Sequence, residues 1–243
     1  MVSFLISAIK IIFLLGFLIF IHESGHFLVA KACKIKVKEF AIGFGPTIWK
    51  KQGKETKYAL RLIPLGGFVN MLGEEEPVED ERAYNKKSIP QRACILLAGG
   101  IVNIIFGLIV CIIVASSILG FKHGIIFTGE FLKATFQGIA ELFTGRVKAE
   151  QLVGIVGISD MVIETSGIMD FAYMMAVISV SLGVTNLLPF PPLDGGKIFL
   201  LIIEAIRRKP LKQDTEMGIQ MLGFIFLIGL SIFVTYNDVI KIF

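Results

Sequence analysis

Four long apolar runs dominate the chain: Phe4–Ala30, Ala93–Phe121, Phe171–Ile206 and Met217–Tyr236. Each reaches or exceeds the roughly 20 apolar residues that carry a helix across a bilayer. The third is interrupted by Asn186-Leu187-Leu188-Pro189-Phe190-Pro191-Pro192, whose prolines cannot continue a helix. Between the first two runs the pattern shifts toward strand. Tyr58–Ile63 and Phe68–Leu72 are β-prone and flank Pro64-Leu65-Gly66-Gly67, which predicts a hairpin over 58–72, with an earlier turn at Gly43-Phe44-Gly45-Pro46. Between the second and third runs, Phe131, Leu132, Phe136, Ile139, Leu142 and Phe143 recur at near-helical spacing around Lys133, Gln137 and Glu141. That spacing predicts an amphipathic helix lying at the outer surface, most simply a peripheral packing helix with no catalytic part. The pattern as a whole predicts an α-helical polytopic membrane protein in a single domain, 1–243. It has about four transmembrane helices, one broken near its polar end, and a small membrane-associated β-hairpin.

Composition agrees. The chain has 243 residues, 54% of them hydrophobic, and a mean hydropathy of +0.77, which excludes an ordinary soluble domain. The first run is longer than the apolar core of a secretory signal, carries Lys10, His22 and Glu23, and has no basic segment before it. It is expected to stay as a span. Thirteen Lys and Arg lie between Lys31 and Arg92, and Arg207, Arg208, Lys209 and Lys212 follow the third run. The outer connection holds only Lys122, Lys133, Arg146 and Lys148. The positive-inside rule places the first and third connections in the cytoplasm and both termini outside. Membrane flanks account for the basic residues, so no nucleic-acid partner is expected. The three cysteines, Cys33, Cys94 and Cys111, form no paired spacing.

The chemistry sits in the first run. His22-Glu23-Ser24-Gly25-His26 places two imidazoles four residues apart, on one helical face, where both can reach one metal ion. The Glu between them can act on a water that the metal activates. Two imidazoles and a carboxylate in an apolar span are costly unless paired or coordinated, which favours a metal, Zn²⁺, over a chance pattern. A third ligand must come from elsewhere. The first and third spans both run outside to inside, so Asp194, just past the break, falls at the depth of the histidines. Glu39 is a rival in the following polar segment. Asp160, Glu164, Asp170 and His123 fall on the outer side, and Cys33 lies about 10 Å further along the helix than His26.

A helical substrate must unwind before it is cut, and its freed backbone needs partners. The hairpin, with Gly66 and Gly67 at its turn, and the broken stretch from Asn186 could supply them by strand addition. Gly99, Asn103 and Gly107 share one face of the second span, and the Asn103 amide is either interhelical glue or part of the site.

Taken together, these motifs resemble the site-2 protease family of intramembrane zinc metalloproteases, closest to its bacterial branch. The resemblance covers nearly the whole chain. It includes His22–His26, Gly43-Phe44-Gly45-Pro46, Pro64–Gly73, Asn85-Lys86-Lys87-Ser88, Ala98–Asn103 and Leu193-Asp194-Gly195. It implies zinc held by His22, His26 and Asp194, Glu23 as acid/base, and Asn186 holding substrate backbone. It also implies a multi-pass protein of the cell membrane with its active site toward the cytoplasm. The implied substrates are single-span membrane proteins such as anti-sigma factors, or signal-peptide remnants. One departure stands out. Relatives carry one or two PDZ domains between the second and third spans, where about fifty residues here are too few for one. Gly100, Ile155 and Ser181 also depart from the common pattern. A metal transporter or sensor using the same ligands is the alternative activity, and a structural subunit with an inactive site a third; Glu23 separates the first two.

Overall fold

A computed structural model describes residues 2–146 and 154–242. The order is α1 (Val2–Ala32), β1 (Val37–Gln52), β2 (Lys57–Met71), a single 3-10 turn (Tyr84–Lys86), α2 (Ile89–Leu119), α3 (Phe121–Phe143), α4 (Ile155–Glu164), α5 (Ile168–Asn186), α6 (Asp194–Arg207) and α7 (Gln213–Ile242). Helices α1, α2, α5 and α7 are long and apolar enough to cross a membrane. Their outward faces carry exposed Ile9, Ile12, Phe13, Ile109, Ile113, Leu222 and Ile225, side chains that only a lipid solvent would cover.

The ends of these helices follow from local chemistry. Lys34 takes a left-handed conformation (φ 59°) just past α1, and Ile35 N–H closes on Ala30 O at 2.9 Å. Ser88 and Gln91 form a reciprocal capping box at the start of α2, with Pro90 in the first turn. The predicted break is present. Helix α5 stops at Asn186 and α6 begins at Asp194. Within the break, Leu188 N–H bonds Thr185 O (3.0 Å), Phe190 N–H bonds Leu188 O (2.7 Å) and Leu193 N–H bonds Phe190 O (2.9 Å). The irregular backbone thus satisfies much of itself, as membrane depth demands.

Two expectations are corrected. The β element is a hairpin of β1 with β2 that reverses at Gly53–Thr56, where Gly53 N–H bonds Thr56 O at 2.9 Å. It is not a hairpin over 58–72. Pro64–Gly67 lies inside β2, with Ile42 opposite Gly67 and Phe44 opposite Ile63. Gly66 has φ 111°, and β1 bends opposite it at Gly43 (φ 87°) and Gly45 (φ 80°). A Pro/Gly bulge in two strands that bend together carries the same local signal as a turn. As a result, Glu39–Ile42 pair on one side with Asn70–Gly67 and on the other with Lys57–Leu60.

The second correction concerns where the outer helix starts; its packing against the other helices is as expected. Gly120 (φ 82°) reverses the chain, so α3 starts ten residues earlier than its periodicity suggests and folds back along α2. Thr128 Oγ1 reaches Cys111 Sγ at 3.5 Å, and the Phe127 and Tyr173 rings lie 6.1 Å apart. The expected helix is there, and its first half packs on α2 and α5. The side chains of Leu142 and Phe143, and residues 147–153, lie outside the described residues.

Helix α4 bridges α1 and α7. Its Val162 packs on Leu14 and Leu18. At its start, buried Asp238 accepts from Gly154 N–H (2.9 Å) and Gly157 N–H (3.0 Å), completing donors that the helix itself leaves open. Asp238→Ala should therefore cost about 1–2 kcal/mol and speed amide exchange across 154–164. Asp238→Asn keeps an acceptor and should retain most of the protection.

Candidate active site

Three elements converge on one point. Helix α1 presents His22 and His26 on one face, α6 presents Asp194 from its first turn, and α2 backs the site. Gly25 lets α2 in: a Cβ there would lie 2.5 Å from Ala98 O. With the two backbones this close, His26 Nδ1 donates to Ile95 O at 2.7 Å. A carbonyl only accepts, so Nδ1 carries a proton, which leaves Nε2 as the ring atom able to face a metal. His22 Nε2 lies 3.1 Å from His26 Nε2, and Asp194 Oδ2 lies 3.1 Å from the first and 3.2 Å from the second.

These distances fit a metal. An ion with bonds of about 2.0–2.1 Å in tetrahedral geometry holds its donors about 3.3–3.4 Å apart. Asp194 Oδ2 is buried within ion-pair distance of both rings, yet accepts no aligned hydrogen bond. With both rings presenting Nε2 as a lone pair, the three atoms of this small triangle repel one another unless a cation sits among them. Two nitrogens and one carboxylate oxygen, with a fourth position open, suit zinc. Among the described residues this is the one His/Cys/Asp/Glu cluster that could hold a metal. Gly99 of α2 keeps the space clear: a Cβ there would meet His26 Nε2 and come within 2.7 Å of His26 Cε1 and 2.8 Å of His22 Cε1.

Glu23 stands beside the triangle and lines the same cavity, of about 680 Å³. The sheet leans directly on it. A Cβ on Gly67 would lie 2.9 Å from Glu23 Cγ and 2.9 Å from Ala41 O. The cavity continues past Phe68–Met71 and Lys197 to Arg92, Glu204 and Glu216. Two ion pairs cross its walls: Lys197 to Glu74 at 3.1 Å, and Arg92 to both carboxylate oxygens of Glu204 at 3.1 and 2.5 Å.

The structure thus brings together His22, Glu23, His26, Asp194 and Gly67. Gly66 bends the strand next to them, its missing Cβ leaving room for the Phe44 ring. Asn103 is fully buried at the α2–α5 contact, where its carbonyl accepts from Ser179 Oγ at 2.8 Å. Asn186 is the last residue of α5. Neither lines the cavity. The rival Glu39 is taken up by Arg61 (2.8 Å) and Lys57 (3.2 Å). Burial alone would raise its carboxyl, but those two cations outweigh it and hold it below the usual range. The sequence reading missed the Ile95 carbonyl, which no side-chain motif marks, and Lys197. The latter's spacing, three residues after Asp194, was a usable signal.

The chain is similar to zinc metalloproteases along nearly its whole length. The family model of peptidase family M50 matches residues 10–230. A Clostridium acetobutylicum protein that carries the name of a zinc metalloprotease is 29% identical, over 93% of this chain and 95% of its own length. The regulator of sigma-W protease RasP of Bacillus subtilis is 24% identical, over 99% of this chain and 100% of its own. That alignment runs over 420 positions against 243 residues here, so RasP carries sequence that this chain lacks. The regulator of sigma-E protease RseP of Escherichia coli is 48% identical over 113 residues, covering 44% of this chain and 25% of its own.

Proposed function

The chain belongs to peptidase family M50, the site-2 zinc metalloproteases of regulated intramembrane proteolysis, and from that premise we propose that it cuts single-span substrates inside the bilayer. In this proposal His22, His26 and Asp194 hold the zinc and Glu23 moves the proton. The observation that carries it is the triangle of inward acceptors at 3.1–3.2 Å, with a free carboxylate beside it in a shared cavity.

Bound zinc supplies Lewis acidity, polarising a carbonyl and bringing the pKa of water to about 7. The rest is the work of this chain. Glu23 takes a proton from the attacking water on its carboxylate and returns it to the departing nitrogen. Ile95 O keeps His26 in one tautomer and orientation. The cavity is large enough to hold water beside Glu23, His22, His26 and Asp194. The bent sheet stands at Glu23, where an unwound substrate could pair with a strand edge. Gly67 lets that edge approach.

The names of RasP and RseP support substrates linked to sigma-factor control, such as membrane-anchored anti-sigma factors, with signal-peptide remnants as a second source. The density of Lys and Arg after α1 and α6 supports a cytoplasmic active site with both termini outside. The single-domain form, with only α3 and α4 described between α2 and α5, supports substrate selection without a PDZ module.

Purified protein should cleave a single-span test substrate, lose that activity in a strong chelator, and regain it on addition of zinc. Cleavage that persists after metal analysis shows zinc removed would overturn the proposal.

A further inference from the structure

We propose that the Glu74–Lys197 ion pair is a positioning device that holds the substrate-facing strand at a fixed setting relative to Asp194 and so determines which peptide bond meets the site. This rests on the protease reading above. Lys197 lies one helical turn past Asp194, on the same face of α6. Its Nζ donates to Glu74 Oε1 at 3.1 Å, and both side chains are partly buried, 36% and 21% exposed. Glu74 follows directly on β2: its N–H bonds Met71 O at 3.3 Å, after a left-handed turn at Gly73 (φ 77°).

The two ends of the cavity-facing strand segment are therefore both tied to the catalytic groups. Gly67 rests on Glu23; the strand runs about 14 Å further to Met71, and Glu74, past the next turn, is pinned to the helix that carries Asp194. That helix cannot easily follow the strand, because Arg92 of α2 holds its Glu204 through two hydrogen bonds. Among the described residues, Glu74–Lys197 is the ion pair that joins the sheet side to α6. A partly exposed ion pair contributes little net stability, and fixing a register is the better-attested use of one. Sliding a strand along its neighbour by two residues moves it about 7 Å and restores the same face to the site. A tether close to the metal ligands prevents that slip.

The test compares wild type with Lys197→Met, Glu74→Gln, the double variant and Lys197→Arg. Each is purified and given one single-span substrate, with product ends read by mass spectrometry beside zinc content, kcat and KM. The single variants should keep zinc and KM. They should spread cleavage to bonds about two residues away and lose about 10- to 100-fold in kcat at the original bond. The double variant should be no worse than either single one, and Lys197→Arg should restore the single cut. An unchanged cut site and rate, additive losses in the double variant, or loss of zinc on Lys197→Met would each overturn the inference while leaving the protease intact. Wild type without zinc-dependent cleavage would overturn the protease reading, and this inference with it.

Discussion

Glu23→Gln should leave one zinc per chain in place and lower cleavage by about 10²- to 10⁴-fold, the range that a positioned general base contributes. The two readouts separate because the groups are separate. The triangle of donors is complete without Glu23: the distances of 3.1–3.2 Å run between His22, His26 and Asp194 alone. Glutamine has the size of glutamate, so the close contact with Gly67 is preserved and the sheet need not move. What is lost is an atom that can hold a proton between the attack on the carbonyl and the departure of the amine. Zinc analysis beside cleavage of a single-span substrate decides the matter. Full zinc with wild-type cleavage would remove Glu23 from the mechanism, and zinc binding with no cleavage by the unsubstituted protein would leave a metal transporter or sensor. Loss of zinc would make Glu23 a ligand rather than a proton carrier.

The parts of this site that were readable in sequence are those set by short-range periodicity or by bilayer cost. His22 and His26 must share a face because a helix repeats every 3.6 residues. Asp194 stood out because a carboxylate after three prolines, at the depth of two histidines, needs a partner. The bend at Pro64–Gly67 was misread for a physical reason. Left-handed glycines serve bulges and turns alike, and what separates them is whether the opposite strand bends too, a fact held by Gly43 and Gly45 more than twenty residues earlier. Asn103 was left between two roles, and its bond from Ser179 does not separate them, because it goes to the main-chain carbonyl while the buried side-chain amide has no protein partner. Helix α3 was recognised by its later apolar positions, while its packing on α2 depends on Gly120 and on Cys111, seventeen residues from Thr128. The tautomer of His26 was not readable at all, because it is set by a main-chain carbonyl on another helix.

Gly99→Ala sets local propensity against the site. Within a helix the change usually stabilises, by roughly 0.5–1 kcal/mol, because alanine loses less backbone freedom than glycine on folding. Here the added methyl would come within 2.7 Å of His26 Cε1 and 2.8 Å of His22 Cε1, closer than carbon atoms pack. His26 cannot retreat without breaking the 2.7 Å bond from Nδ1 to Ile95 O. His22 cannot retreat without leaving the 3.1 Å setting it shares with Asp194 Oδ2. The expected result is a zinc affinity lower by about 10- to 100-fold, the usual cost of disturbing the groups that orient metal ligands, with cleavage falling in parallel at limiting zinc and recovering in part at excess. Gly16→Ala in α1 is the matched control, since nothing lies within 4 Å of a Cβ there, and it should be neutral or slightly stabilising. If Gly99→Ala binds zinc and cleaves as the control does, the imidazoles have room to shift, and α2 does not set the position of the metal.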